Sequence, residues 1–276
     1  MHIVIVGKGW VGTKMYYEFL TRQKPKGIQK HKLMHIHHHE IKKTLQDNHV
    51  DWIVNCAGVT GVPNVDACEK DKANTLYGNA VYPMELANLA REFGVRLAHF
   101  SSGCIYEGEI TDVNAQPNFF GSTYSISKGI SDMALGDKAQ VYRIRMPFSD
   151  LMEPKNYLVK VMKYAETGKL FEGGLNSLTH IDEAVRVACN LIERDEPNGR
   201  YNLVNKGAVT LHDIAEIIGV SAQWFTAEEF RAATACARSN CTIPSYHEMS
   251  DIVPAIQKAI KQLQDQQRTH DRLCLT

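Results

Sequence analysis

The chain has 276 residues, with 31 Lys and Arg against 31 Asp and Glu, 44% apolar residues, seven cysteines and twelve histidines. That length and apolar fraction supply a core for one large domain or for a larger and a smaller lobe. The zero formal charge excludes the whole-molecule attraction expected of a nucleic-acid binder or an anionic-membrane binder. An anionic substrate must then be held by local groups.

No apolar run approaches the roughly 20 residues that cross a bilayer, and no cleavage-like region follows the apolar stretch from Ile3 to Val6, so the expected setting is cytoplasmic. The cysteines are odd in number, scattered and never spaced C-x-x-C. Neither a disulfide framework nor a zinc knuckle is expected, and a cysteine that matters would do so as a thiol.

In chain order, His2 to Val6 reads as a short buried strand, Gly7 to Gly12 as a tight loop, and Lys14 to Leu20 as the start of a helix with apolar spacing. Strands are expected at Lys32 to His37, Trp52 to Cys56, Val95 to Ser101 and Gln140 to Arg145, with a long helix from Asn74 to Phe93 and another from Ser125 to Leu135. Irregular chain is expected between Ser101 and Gly121. Strands alternating with helices imply a parallel sheet covered on both faces, a Rossmann-like doubly wound α/β fold. Beyond about residue 150 the texture changes. Helices at Asn156 to Thr167, Asp182 to Arg194, Leu211 to Ile218 and Asp251 to Gln267, with a strand near Arg200 to Val204 and a polar tail, suggest a smaller C-terminal α/β lobe assembled on the sheet. The expected division is 1–150 for the nucleotide-binding domain and 151–276 for a mainly substrate-binding lobe, with the chain free to cross back.

Gly7-Lys-Gly-Trp-Val-Gly12 follows the first strand and opens the first helix, the context that a dinucleotide fingerprint requires. Glycines admit a pyrophosphate close to the backbone, and the helix N-terminus offers it unpaired N–H groups. Gly7, Lys8, Gly9, Trp10, Val11 and Gly12 are therefore expected at the cofactor. No Asp or Glu ends the second strand to hold a ribose 2′-hydroxyl; His37 and His38 stand there instead. Cationic and donor groups suit a 2′-phosphate, so NADP(H) is expected. A metal bound between His37 and His39 is the sharper but weaker alternative, because no carboxylate or cysteine of suitable spacing completes a ligand set.

Tyr124-Ser-Ile-Ser-Lys128 places a phenol and an ammonium four residues apart, on one helix face. A free phenol has a pKa of about 10, and a neighbouring ammonium is expected to bring it toward the working range. Ser102, at the end of the fourth strand, is expected to hydrogen-bond the same carbonyl oxygen. Loop, serine and Tyr/Lys pair together resemble the extended, nucleotide-sugar branch of the short-chain dehydrogenase/reductases.

Within that branch, Ser101-Ser-Gly-Cys-Ile-Tyr-Glu107 carries Cys104 where plain 4-ketosugar reductases carry a tyrosine. If the chain stays extended, Cys104 and Ser102 face one pocket. A cysteine there is similar to the bifunctional 3,5-epimerase/4-reductases. Asn55 to Glu69, Pro117 to Ser122, Arg143 to Pro147 and Arg238-Ser-Asn240 look like the UDP-4-keto-6-deoxyglucose 3,5-epimerase/4-reductase family of UDP-rhamnose synthesis. The resemblance implies Tyr124 as proton donor to O4, Lys128 as its partner and ribose contact, Ser102 as carbonyl orienter, and Cys104 with Lys160 as the acid–base pair of epimerisation. It implies Cys56, Ala57, Gly58, Met146 and Pro147 beside NADPH. Thr60, Asn64, Gly103, Asn118, Asn156, Arg238 and Asn240 are expected at the substrate, the last two at its nucleotide end. The glycine loop is one residue shorter than the family's usual pattern.

The resemblance also implies a functional link to a UDP-glucose 4,6-dehydratase, and a helical interface would suit a homodimer. Three other readings share these features: a GDP-fucose-type epimerase/reductase, a plain dTDP- or UDP-4-ketosugar reductase, and, from another class, an NADP(H)-binding regulatory subunit. Such subunits commonly lack the Tyr or the Lys, and both are here.

Overall fold

The computed structural model describes residues 1–22, 32–171 and 173–274. It opens with β1 (His2–Val6), α1 (Trp10–Arg22), β2 (Lys32–Ile36), α2 (Ile41–Asp47) and β3 (Trp52–Asn55). Then come α3 (Asp66–Lys70), α4 (Lys72–Leu76), α5 (Tyr82–Phe93), β4 (Arg96–Ser102), β5 (Gly108–Glu109), α6 (Thr123–Leu135), β6 (Gln140–Ile144) and β7 (Pro147–Phe148). The remainder holds α7 (Tyr157–Thr167), β8 (Lys169–Phe171), β9 (Thr179–His180), α8 (Ile181–Glu193), β10 (Gly199–Asn202), α9 (Leu211–Ile218), β11 (Gln223–Phe225), α10 (Ala227–Ala233), β12 (Cys241–Thr242) and α11 (Ile252–Cys274).

Six strands form one sheet in the order β10-β6-β4-β3-β1-β2, every pair parallel. The period-two side-chain alternation of strands decides its layers. Ile3, Ile5, Trp52, Val54 and Phe100 pack on one face with Met15 and Phe19 of α1 and the apolar stripe of α8. Val4, Val6, Ile53, Leu97 and Val141 pack on the other with Leu45 of α2, Leu86 of α5 and Leu135 of α6. Both faces are covered, so Ile3 to Val6 of β1 and Trp52 to Val54 of β3 read as unbroken apolar runs. Burial of each large aliphatic side chain contributes about 1.5–3 kcal/mol.

A separate core joins Leu158 and Val161 of α7, Leu170 of β8, Ile214 and Ile218 of α9, and Ile256, Ile260 and Leu263 of α11. This is the smaller lobe, and β8 pairs with β11 inside it. Between them the chain crosses back: α8 covers the main sheet and β10 extends it beside β6.

Three local expectations change. The helix expected over Asn74 to Phe93 is interrupted by a π-helical turn at Tyr77–Val81, where buried Asn79 accepts from Val59 N at 2.9 Å and donates to Val59 O at 2.8 Å. Bonding to the loop after β3 supplies a reason for the extra residue in that turn. The second strand ends at Ile36, and His38–Glu40 form a 3₁₀ turn. The last helix continues through the stretch expected as a polar tail.

Asp132 on α6 locks three elements. Its buried carboxylate takes Arg143 Nη2 at 2.6 Å and Nε at 2.8 Å, Arg200 Nε at 3.1 Å and Ser101 Oγ at 3.1 Å. Asp132→Ala would strand Arg143, whose side chain is 0% exposed, and should cost about 3–5 kcal/mol of stability. Urea unfolding of the two proteins measures it.

Candidate active site

The chain turns from β1 to β2 on one side and to β3 on the other, so the crevice between β1 and β3 is the topological switch point of the sheet. The glycine loop lies at its mouth. Gly7 has φ +101°, and a Cβ there would sit 2.7 Å from Ala57 N; one on Gly12 would sit 1.9 Å from Gly7 O. Both positions demand glycine for close packing of loop, helix and strand. A Cβ on Gly9, by contrast, meets nothing within 4 Å, so that edge of the cradle is open. Trp10 and Val11 turn inward and pack against the core under α1.

A pocket of about 320 Å³ opens over this loop, lined by Gly7, Lys8, Gly9, His37, His38 and Cys56 to Val59, and closed by Asn74, Tyr77, Gly78 and Tyr82. Tyr82 Oη donates to His38 O at 3.1 Å. Glu40 folds back so that its carboxylate accepts from His37 N at 2.6 Å. That bond, with the charge of Lys8 nearby, holds the Glu40 carboxyl below its usual range. His37, His38 and Lys8 line the pocket beside this turn. The 3₁₀ turn removes the strand alternation on which a His37–His39 metal site depended; among the described residues no group of His, Cys, Asp or Glu is arranged to hold a metal.

α6 delivers the reactive pair. Ser122 caps it by accepting from Ser125 N at 3.0 Å, and Glu69 clamps its first turn, accepting from Thr123 N at 2.6 Å and Thr123 Oγ1 at 2.8 Å. Tyr124 follows directly, and its phenol lies close to Ser102. Desolvation, and then the neighbouring Cys104, pushes its phenol up, against the influence of Ser102 and Arg145. The expected lowering of this pKa by Lys128 is not found. Lys128 Nζ donates to Phe100 O at 3.2 Å and lies 3.2 Å from where a Cβ of Gly58 would be. It sits beneath the pocket-lining Gly58, where burial depresses it to about 8.

Cys104 reaches Ser102 by a different route from the one expected. β4 stops at Ser102, and the chain turns through Gly103 and Cys104 so that Cys104 N donates to Ser102 Oγ at 3.0 Å. The turn, rather than strand alternation, brings the thiol beside the serine and Tyr124. Gly103 packs on Arg145. The buried Arg145 guanidinium donates to Cys104 Sγ at 3.2 Å. Tyr157, at the start of α7, lies near both Arg145 and Cys104, and Lys160 is three residues further on the same helix, hence on the same face. Half-burial, then Lys155, holds the Lys160 ammonium below its usual value.

Other expected substrate residues hydrogen-bond to chain close by. Asn156 is fully buried and caps α7, accepting from Leu158 N at 3.0 Å and donating to Ser149 O at 2.7 Å. Asn118 accepts from Glu107 N at 2.8 Å and donates to Glu107 O at 3.1 Å. Asn64 accepts from Asp66 N at 2.9 Å, and Asn240 accepts from Asn176 Nδ2 at 3.0 Å. Thr60 is exposed beside the pocket mouth. Arg238 is held by Asp66 Oδ2 at 2.7 Å and by Cys236 O at 2.8 Å, so a guanidinium is presented in fixed orientation. Met146, at φ 40°, and Pro147 join β6 to the smaller lobe. Glu69, Tyr77, Tyr82, Asp132 and Arg145 escaped the sequence reading. For Arg145 a signal existed: two arginines two apart in an apolar strand imply a buried charge in need of a partner.

A parallel α/β sheet with a glycine loop at its switch point, and a Ser/Tyr/Lys trio on β4 and α6, is a short-chain dehydrogenase/reductase-like architecture. The RmlD substrate binding domain model matches residues 1–265, and the chain belongs to that family. The trifunctional UDP-glucose 4,6-dehydratase/UDP-4-keto-6-deoxy-D-glucose 3,5-epimerase/UDP-4-keto-L-rhamnose-reductase of Arabidopsis thaliana is 34% identical over 206 residues, 68% of this chain and 30% of that protein. The bifunctional dTDP-4-dehydrorhamnose 3,5-epimerase/dTDP-4-dehydrorhamnose reductase of the same plant is also 34% identical over 206 residues, 67% of its length. The chain thus spans under a third of the trifunctional relative. Among solved structures, the L780 UDP-rhamnose synthase of Acanthamoeba polyphaga mimivirus has a TM-score of 0.82 at 22% identity, covering 95% of this chain and 99% of that one. A dTDP-4-dehydrorhamnose reductase from Bacillus anthracis, in complex with NADP, has a TM-score of 0.74 at 16% identity, covering 96% and 99%. No helix among the described residues is long and apolar enough to cross a membrane.

Proposed function

We propose that this protein is an NADPH-dependent 3,5-epimerase/4-ketoreductase that converts UDP-4-keto-6-deoxy-D-glucose to UDP-β-L-rhamnose. The observation that carries this reading is the placement of the partly exposed Cys104 in one cluster with Ser102 and Tyr124. A reductase needs the last two alone; the thiol adds a second acid–base group at the same sugar.

The glycine loop, Lys8, His37 and His38 would hold NADPH, with Lys128 under its ribose, and NADPH supplies a hydride to C4 when bound. The 4-keto group acidifies the hydrogens at C3 and C5, since loss of either leaves an enolate. Cys104 takes the proton and Lys160 returns one from the opposite face; a lysine whose burial already favours the neutral amine gives up its proton readily. Tyr124, kept protonated by its burial, then donates to O4 while Ser102 orients that oxygen. Arg238, fixed by Asp66, would meet the diphosphate. Because the substrate is itself a 4-ketosugar, a UDP-glucose 4,6-dehydratase is the activity that must supply it.

NMR of the reaction in deuterated buffer tests the proposal. Deuterium at C3 and C5 in a β-L-rhamnosyl product supports it; a reduced product without deuterium means a plain 4-reductase.

Lys128 sets a pH dependence. Its folded value lies near 8, so its charge is present at pH 7 and lost as pH rises through 8. Phosphate-bearing NADPH binds the charged form better, and affinity should fall by up to about tenfold between pH 7 and 9. Nucleotide fluorescence titrations measure it, and Lys128→Met should flatten the profile.

A further inference from the structure

Arg143 and Arg145 are both buried, at 0% and 1% exposure, yet they are neutralised differently. Arg143 has the Asp132 carboxylate on two of its nitrogens. Among the described residues no carboxylate pairs with Arg145. Its Nη1 donates to Ser239 Oγ at 3.0 Å and Cys104 Sγ at 3.2 Å, its Nη2 to Ser239 O at 2.7 Å and to Asn176 Oδ1, and its Nε has no partner. An uncompensated buried cation is costly. The titratable groups around it are the Tyr124 and Tyr157 phenols and two thiols, Cys104 and Cys241. Cys241 is sealed at 1% exposure and directs its thiol to Gly103 O at 3.3 Å. Cys104 alone of the two is partly exposed.

We propose that Arg145 is a positioning residue that aims the Cys104 sulfur at the sugar and balances negative charge on it, which deepens the epimerase reading above and rests on it. When the ring C–H bond breaks, its proton forms the S–H bond of Cys104 and the electron pair moves to the keto oxygen. A proton from the Lys160 ammonium then bonds the carbon from the other face. The guanidinium's part is to hold the sulfur as the anion before the first transfer. Its anchors are Ser239 and Asn176, so charge and orientation come from one fixed group.

The test compares Arg145→Gln and Arg145→Lys with the unaltered protein. Iodoacetamide labelling of Cys104 is followed by peptide mass spectrometry at pH 7.5. Solvent deuterium exchange into the 4-ketosugar is compared with NADPH oxidation on a 4-keto-L-sugar already inverted at C3 and C5. Arg145→Gln should slow labelling at least fivefold and lower the exchange-to-reduction ratio at least tenfold, and Arg145→Lys should recover part of both. Labelling unchanged in Arg145→Gln, or exchange and reduction lost equally in both variants, overturns the proposal. Should Arg145→Gln fail to bind NADPH, Arg145→Lys decides: its shorter reach must lower labelling and the ratio at least threefold, and unchanged values overturn it. Slowed labelling in a protein that never exchanges deuterium would sink the epimerase reading while leaving the Arg145–Cys104 pairing in place.

Discussion

Tyr124→Phe should lower the rate of NADPH oxidation by about 10²–10⁴-fold, the range for loss of a positioned general acid, while deuterium from solvent still enters the sugar at C3 or C5. The phenol is partly buried close to Ser102, and desolvation with the adjacent Cys104 keeps its proton on at neutral pH. Its deletion removes the donor to O4 and little else. Phe retains the ring, the cap at Ser122 and the Glu69 clamp are on other residues, and α6 has no reason to move. Absorbance at the nicotinamide band measures reduction; NMR in deuterated buffer, with and without NADPH, measures exchange. Reduction surviving at more than a tenth of its rate would remove Tyr124 from the role of acid.

The second large effect is the converse. Cys104→Ser should lower C3 and C5 exchange by about 10²–10⁴-fold and leave reduction of the already inverted 4-keto-L-sugar running. A hydroxyl fits the space but does not ionise under conditions where a thiol does. The backbone bond from residue 104 to Ser102 Oγ is made by the main chain and survives the substitution. Equal loss of exchange in Cys104→Ser and Tyr124→Phe would refute the division of labour between thiol and phenol.

Much of the architecture was legible because strand and helix periodicities are local. Ile3 to Val6 and Trp52 to Val54 are apolar on both faces, as strands buried within a parallel sheet tend to be. The glycine loop was legible too, because only glycine tolerates the contacts made by Gly7 and Gly12. Misreadings arose where a residue answers to a distant partner. The π turn at Asn79 follows from the loop at Val59; Asn156 reads as a polar candidate until its cap and its bonds to Ser149 are seen. Likewise, Lys128 stands four residues from Tyr124, yet its ammonium is drawn to Phe100 O.

By itself the sequence determined the α/β class, the cofactor loop, the Tyr124–Lys128 pair and the unusual Cys104, since each depends on residue type and short spacing. Its even balance of charge implied that anionic ligands are met locally. Tertiary structure alone decided which charged and titratable groups stand together and in what state. It set Arg145 against Cys104 across 41 residues and Asp66 against Arg238 across 172. It raised Tyr124 and lowered Lys128 by burial. Charge–charge and desolvation energies depend on distance in space and on exclusion of water, and neither quantity is defined until the chain has folded.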